Sequence, residues 1–155
     1  MTGFGVIDKD GSTLLLVEQG AIRLPRGADL PSRLATIFQR LCELIDRTRP
    51  GVVAVEAPFS GRNAKSLIQL AHARGVVLLA AQTRGIEIAE YSPRSVKSAV
   101  VGYGGAEKEQ VAHMVRLLVK GVGATRMTAD ASDALAVAIC HAHSAGVSSR
   151  LRALE

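Results

Sequence analysis

Asp130 and Asp133 stand three residues apart in "TADASDALAVAICHAH", residues 128–143, a run otherwise made almost wholly of small and apolar residues. On a helix that spacing puts both carboxylates on one face, and the stripe they head continues through Ala134, Val137 and His141 into what reads as core. Two carboxylates held together away from water raise the energy of the doubly ionised form, so they need a shared proton, a basic partner or a bound cation. Glu56 closes the β-branched run of "GVVAVEAPF" and brings a third carboxylate to a strand end. A hard divalent cation is then a natural occupant, because Mg²⁺ takes carboxylate oxygens and keeps several waters. The bland alternative is that both aspartates merely complement the positive end of the helix dipole. On these residues alone the two readings stand level.

The elements that must position the acids follow from pattern. "TGFGVI", "DKDG" and "STLLLVEQGAI" read as strand, turn and strand, with Asp-Gly as the hairpin signal. Residues 30 to 48 carry Leu30, Leu34, Ile37, Leu41, Leu44 and Ile45 at helical spacing with charges between them, and Pro50 and Gly51 close the segment. The run ending at Glu56 suits a strand covered on both faces. Residues 63 to 84 are apolar on more than one side, as in a helix covered twice, and one of those faces is suited to a second subunit. "IEIAEYSP" reads as another strand, after which Ser92 and Pro93 occupy the N-cap and first position of a helix. "GYGG" breaks that helix, residues 106 to 120 form the next with Lys108 near its start, and Thr128 or Ala129 opens the last. The order predicts one α/β domain over residues 1–155, a mixed sheet with helices against it.

The chain is 48% hydrophobic, enough to bury a core, and its 19 Lys and Arg against 14 Asp and Glu leave a net charge of +5. That balance favours a polyanionic partner, nucleic acid first, although charge that only keeps a protein soluble gives the same number. Cys42 and Cys140 lie far apart in apolar helical patterns and read as buried thiols of a reducing compartment. There is no leader-like N-terminus and no apolar stretch long enough to span a membrane, so a cytoplasmic protein is expected. His141 and His143, two apart on a helix, point in different directions and do not make a zinc site.

Taken in order, "TGFGVI", "LPSRL" at 30 to 34, "VAVEAPF" at 53 to 59, "QLAHARGV" at 69 to 76, "SVKSAVVGYGGAEKEQVAHMV" at 95 to 115 and "ADASDALAVAICHAH" at 129 to 143 resemble the RuvC family of Holliday junction resolvases, within the RNase H-like nuclease superfamily. The resemblance runs nearly end to end. It implies a mixed five-stranded sheet with helices on both faces and a homodimer, and the apolar residues on more than one face of the helix over about residues 63 to 82 make that helix the expected seam. It implies symmetric paired nicking of four-way DNA junctions in recombination and repair, with RuvA and RuvB as partners. Glu56, Asp130 and Asp133 match three of the family's four metal-binding acids. The implied chemistry is hydrolysis with two Mg²⁺ ions, Mn²⁺ being able to substitute, one ion activating the attacking water and the other stabilising the leaving oxygen. Lys97 and Lys108 match lysines placed near the scissile phosphate, and Phe59 matches a residue that stacks on an unpaired base. Arg62, Lys65, Arg74 and Arg94 are expected phosphate contacts. Without the resemblance, solvated lysine is the plainer reading of Lys97 and Lys108, whereas Phe59, just past a strand end after Pro58, is better placed for a surface role than for the core.

One departure stands beside the match. The family carries its first catalytic Asp in a Gly-Ile-Asp-Pro-Gly strand just before the "TGFG" stretch, where this sequence has Met1. Asp8 and Asp10 do not replace it, because at about 3.3 Å per residue Asp8 lies roughly 20 Å along the strand from Thr2. They read as turn residues. The expectation is therefore a chain that lacks the fourth acid and the central strand, leaving its neighbours short of a partner. Three functions follow for test: a metal-dependent junction endonuclease, a junction-binding protein with weak or no nuclease activity, and a basic RNase H-like interaction domain.

Overall fold

A computed structural model describes residues 2–58, 64–124 and 126–152, and only the backbone of residues 64, 65, 124 and 146–152. Strands β1 (Thr2–Asp10) and β2 (Thr13–Ile22) form the expected antiparallel hairpin, with Gly11 at φ 58 in its tip and a bulge between Val6 and Ile7. Asp8 and Asp10 lie at the turn end, where the Asp8 carboxylate accepts the Lys9 N–H at 2.9 Å. Helix α1 (Leu30–Thr48) starts at Asp29, whose side chain accepts the Ser32 N–H at 3.0 Å, and stops where Arg49 turns left-handed at φ 46. Strand β3 (Val52–Glu56), helix α2 (Ala64–Gln82), strand β4 (Glu87–Tyr91) and helix α3 (Pro93–Val101) follow, the last capped by Ser92 as the sequence predicts.

Helix α4 (Lys108–Leu118) ends two residues before the pattern predicts. Val119 and Lys120 instead form strand β5, parallel to Leu14 and Leu15. Gly121 at φ 97 then turns the chain into a short 3-10 segment, Val122–Ala124, ahead of helix α5 (Ala129–Arg152).

The strands form one layer in two pieces. β1, β2 and β5 make one sheet in the order β1-β2-β5, and β3 pairs in parallel with β4 in the other. Among the described residues β1 has β2 as its sole strand partner and β3 has β4, so the continuous five-stranded sheet implied by the resemblance is divided between β1 and β3. Alternation along the strands still places both pieces between the same two helical layers. Phe4, Val6, Ile22 and Val53 pack toward α1 and α2 with Ile37, Leu41 and Ile45. Ile7, Leu14, Leu16, Ala54 and Tyr91 pack toward α3, α4 and α5 with Val96, Val115, Leu135 and Ile139. Leu135 and Ile139 have no exposed surface, and burying each contributes roughly 1.5–3 kcal/mol.

Two glycines explain how closely α5 lies on β1. A Cβ at Gly3 would fall inside the Asp130 carbonyl, and one at Gly5 would sit 2.6 Å from the Leu135 side chain. At the far end of the strand the Lys9 ammonium donates to the Ala142 carbonyl at 2.6 Å. The missing side chains of Gly3 and Gly5 thus make room for the Asp130 backbone and the Leu135 side chain.

Candidate active site and nucleic-acid surface

Thr128 opens α5: its Oγ1 accepts the Ala131 N–H at 3.2 Å, leaving Asp130 in the first turn where the helix dipole favours an anion. Asp130 is half-buried beside Gly3, Ser132 behind it is buried, and Asp133 is exposed. Lys108, first residue of α4, donates from Nζ to Asp133 Oδ2 at 3.2 Å. Of the remedies for paired carboxylates, a basic partner is therefore the one visible in the structure. Both side chains of that pair are more than half exposed, so it adds little to stability and leaves the lysine available to a phosphate.

Glu56 ends β3, exposed, with Tyr91 of β4 as its register partner and the Ala57 N–H donating to the Tyr91 carbonyl at 2.8 Å. It belongs to the sheet piece that does not carry β1. The three acids are all hard oxygen donors, the chemistry Mg²⁺ prefers. Yet among the described residues no three His, Cys, Asp or Glu side chains gather closely enough to hold a metal ion. Asp130 and Asp133 share a helix turn and Glu56 ends a strand, so donor type fits a metal while the three do not close into one group among the described residues.

The basic candidates differ in what they can reach. Lys97 is half-buried on α3, and Arg94, exposed in the first turn of α3, lays its stem across Gly104 with Nε 3.1 Å from where a Cβ would be. Arg74 of α2 is ion-paired with Glu90 of β4, and its Nε is buried with no hydrogen-bond partner. Its guanidinium already ties helix to strand, which leaves it less to offer a phosphate than its sequence position suggests. Lys65 lies in the first turn of α2, and Phe59 and Arg62 lie outside the described residues.

Sequence reading passed over a pair at the far end of the acid stripe. The Tyr91 hydroxyl and His141 Nδ1 lie 2.8 Å apart with their rings edge to face, and burial pushes the Tyr91 hydroxyl above its ordinary pKa. His141 ends the stripe that Asp130 heads, which was the only signal for it. Outside this region, Ile68, Leu70 and Leu79 leave large apolar surface exposed on α2.

The sequence profile of the family described as crossover junction endodeoxyribonuclease RuvC matches residues 1–141. The RuvC of Geobacter sp. strain M21 is 48% identical over 154 residues, 99% of this chain and 93% of that protein. The RuvC of Acidiphilium cryptum is 49% identical over 152 residues, covering 98% and 90%. Among solved structures, Thermus thermophilus RuvC in complex with a Holliday junction substrate superposes with a TM-score of 0.83 at 35% identity, covering 92% of this chain and 87% of that one. The structure titled Thermus thermophilus RuvC aligns with a TM-score of 0.80 at 32% identity.

Proposed function

The chain belongs to the RuvC family of crossover junction endodeoxyribonucleases, with the RNase H-like fold of that family, and from this we propose that it binds four-way DNA junctions and nicks them in a Mg²⁺-dependent reaction. The superposition on a RuvC bound to a Holliday junction substrate carries this reading. Glu56, Asp130 and Asp133 are the acids assigned to metal, with Mn²⁺ as the natural substitute. These three do not close into one group among the described residues.

The chain's own residues supply the rest. Lys108 beside Asp133 can swing to a phosphate oxygen without leaving the acid uncompensated by more than an exposed pair is worth. Lys97 and Arg94 present further cations on α3, while Arg62 and Lys65 precede or open α2. Phosphates met on more than one arm of a junction make affinity fall steeply with salt. The exposed apolar residues of α2, Ile68, Leu70 and Leu79, support a homodimer, which would present two such sites and cut symmetrically. No helix among the described residues is long and apolar enough to cross a membrane, consistent with action in the cytoplasm on recombination and repair intermediates. RuvA and RuvB are proposed as partners from the family alone.

The dispersed acids favour a second reading, a junction-binding protein with weak or no nuclease activity. One experiment separates the two: gel shifts at two salt concentrations, followed by strand cleavage of the same labelled junction with and without Mg²⁺, for the chain and for Asp130→Asn. Junction binding with Mg²⁺-dependent nicking that Asp130→Asn abolishes supports the enzyme. Binding without nicking supports the second reading, and equal affinity for linear duplex overturns both.

A further inference from the structure

The chain has five aromatic residues, three Phe and two Tyr, and one of them stands out in the "GYGG" turn between α3 and α4. Tyr103 is 49% exposed, yet its ring is fixed. Its hydroxyl donates to Gln110 Oε1 at 2.8 Å, an oxygen that also accepts the Glu107 N–H at 2.8 Å and so anchors the start of α4. The ring edge lies over Gly105, 3.8 Å from where a Cβ would be, and Arg94 is draped across the intervening Gly104. An aromatic held in the open by one hydrogen bond to an amide that is itself anchored by the Glu107 N–H is restrained without being buried.

Its surroundings show what it suits. Gln110 also lines an open hollow of about 410 Å³ walled by Val101, His113 and Met114, with Glu109 at its rim. The hollow's surface is almost wholly apolar and its one formal charge is negative, a poor match to a phosphate and a good match to a flat, weakly polar group. On α4, Lys108 and Gln110 are two residues apart and point about 200° apart, so one flank of the helix faces Asp133 and the other faces Tyr103. The two flanks are separated by roughly the 10–12 Å width of a helix, about three nucleotides at 3.4 Å each.

We infer that Tyr103 is a stacking platform for an unpaired DNA base, which it receives beside the Val101, His113 and Met114 hollow while the same strand's phosphates run past Arg94 and Lys108. The inference rests on the DNA-binding reading above and adds to it a base contact on the opposite flank of α4. Stacking on an aromatic ring is sequence-tolerant, because every base has a π face, so the platform favours open strands over paired ones without reading sequence.

The test uses Tyr103→Ala, Tyr103→Phe, Arg94→Ala and Tyr103→Trp, each checked for an unchanged circular dichroism spectrum. Truncation to Ala is expected to weaken binding of a four-way junction built from synthetic oligonucleotides by roughly tenfold. The slope of log affinity against log salt should stay at the wild-type value, because no phosphate contact is lost, whereas Arg94→Ala should lower it by about one. Tyr103→Phe should restore most of what Tyr103→Ala loses, since the ring and not the hydroxyl meets the base. The chain has no Trp, so Tyr103→Trp provides a single emission reporter, and a single-stranded oligonucleotide should quench it. Unchanged affinity in Tyr103→Ala, a salt slope that falls as it does for Arg94→Ala, or an indifferent Trp emission each overturns the platform. A wild-type chain without junction preference would remove the junction reading, while quenching by single strand would still decide the stacking.

Discussion

Replacing Gly5 with Ala probes how α5 is seated on β1, and the structure sets the size of the effect. The new Cβ would lie 2.6 Å from the Leu135 Cγ and Cδ2 and 3.1 Å from the Leu135 backbone N, where ordinary contact begins near 3.4 Å. The shortfall is about 0.8 Å. Leu135 is wholly buried, and because backbone as well as side chain is in the way, a rotamer change alone does not relieve the clash. Overpacking of this kind costs about 1–3 kcal/mol, offset by roughly 0.4–1 kcal/mol from the stiffer unfolded chain. The net expectation is a loss of about 1–2 kcal/mol. With an unfolding entropy near 2.1 cal/mol/K per residue, each kcal/mol moves the midpoint of a chain this size by about 3 °C, so Tm should fall by roughly 3–6 °C. Thermal melts followed by circular dichroism measure it, with Gly51→Ala as the control, since nothing lies within 4 Å of a Cβ there. If Gly5→Ala melts at or above the control, α5 is not seated by strand glycines and the packing argument is wrong.

Lys108→Ala should leave Tm within about 2 °C of wild type, because the pair with Asp133 is exposed, while cutting the junction nicking rate on the order of a hundredfold, read by single-turnover cleavage. Ile68→Asp places a charge on exposed apolar surface of α2 and is expected to give monomer in sedimentation velocity if α2 forms the dimer seam; a dimer that persists points to another face. Glu18 hydrogen-bonds and ion-pairs with Arg47, with Nε to Oε2 at 2.9 Å, which holds its carboxyl below the ordinary 4.5. A lowered folded-state pKa stabilises above the unfolded value and loses that contribution as pH falls through the folded one. Glu18→Gln should therefore be less stable than wild type at neutral pH by under about 1 kcal/mol, with the gap closing in urea titrations as pH falls through the folded-state value below 4.5.

Local signals carried the elements and tertiary ones did not. Asp-Gly marked the hairpin tip, Ser92 and Pro93 the start of α3, and Thr128 the start of α5, since each is set by residues within one turn. Val119 and Lys120 continue an apolar helical pattern, and only pairing with Leu14 and Leu15, more than a hundred residues earlier, makes them a strand. The acids were legible by type and spacing, yet whether Glu56 meets Asp130 depends on how two sheet pieces lie, which no window of sequence encodes. Arg74 looked like a phosphate contact because Glu90, its counterion, lies on a different element. Tyr103 reads in the sequence only as part of the "GYGG" helix break, and its restraint comes from a glutamine seven residues on.

The Lys9 ammonium that closes on the Ala142 carbonyl joins residues 133 positions apart. During synthesis the hairpin leaves the ribosome well before the helix that covers it. Until then Gly3 and Gly5 have nothing to receive, and β1, which among the described residues pairs with β2 alone, offers its other edge to any strand nearby. High sequence separation makes such closure slow, so folding is expected to wait on translation of α5 and not to proceed from the hairpin onward. A nascent chain stalled before residue 129 would then be the species most in need of a chaperone.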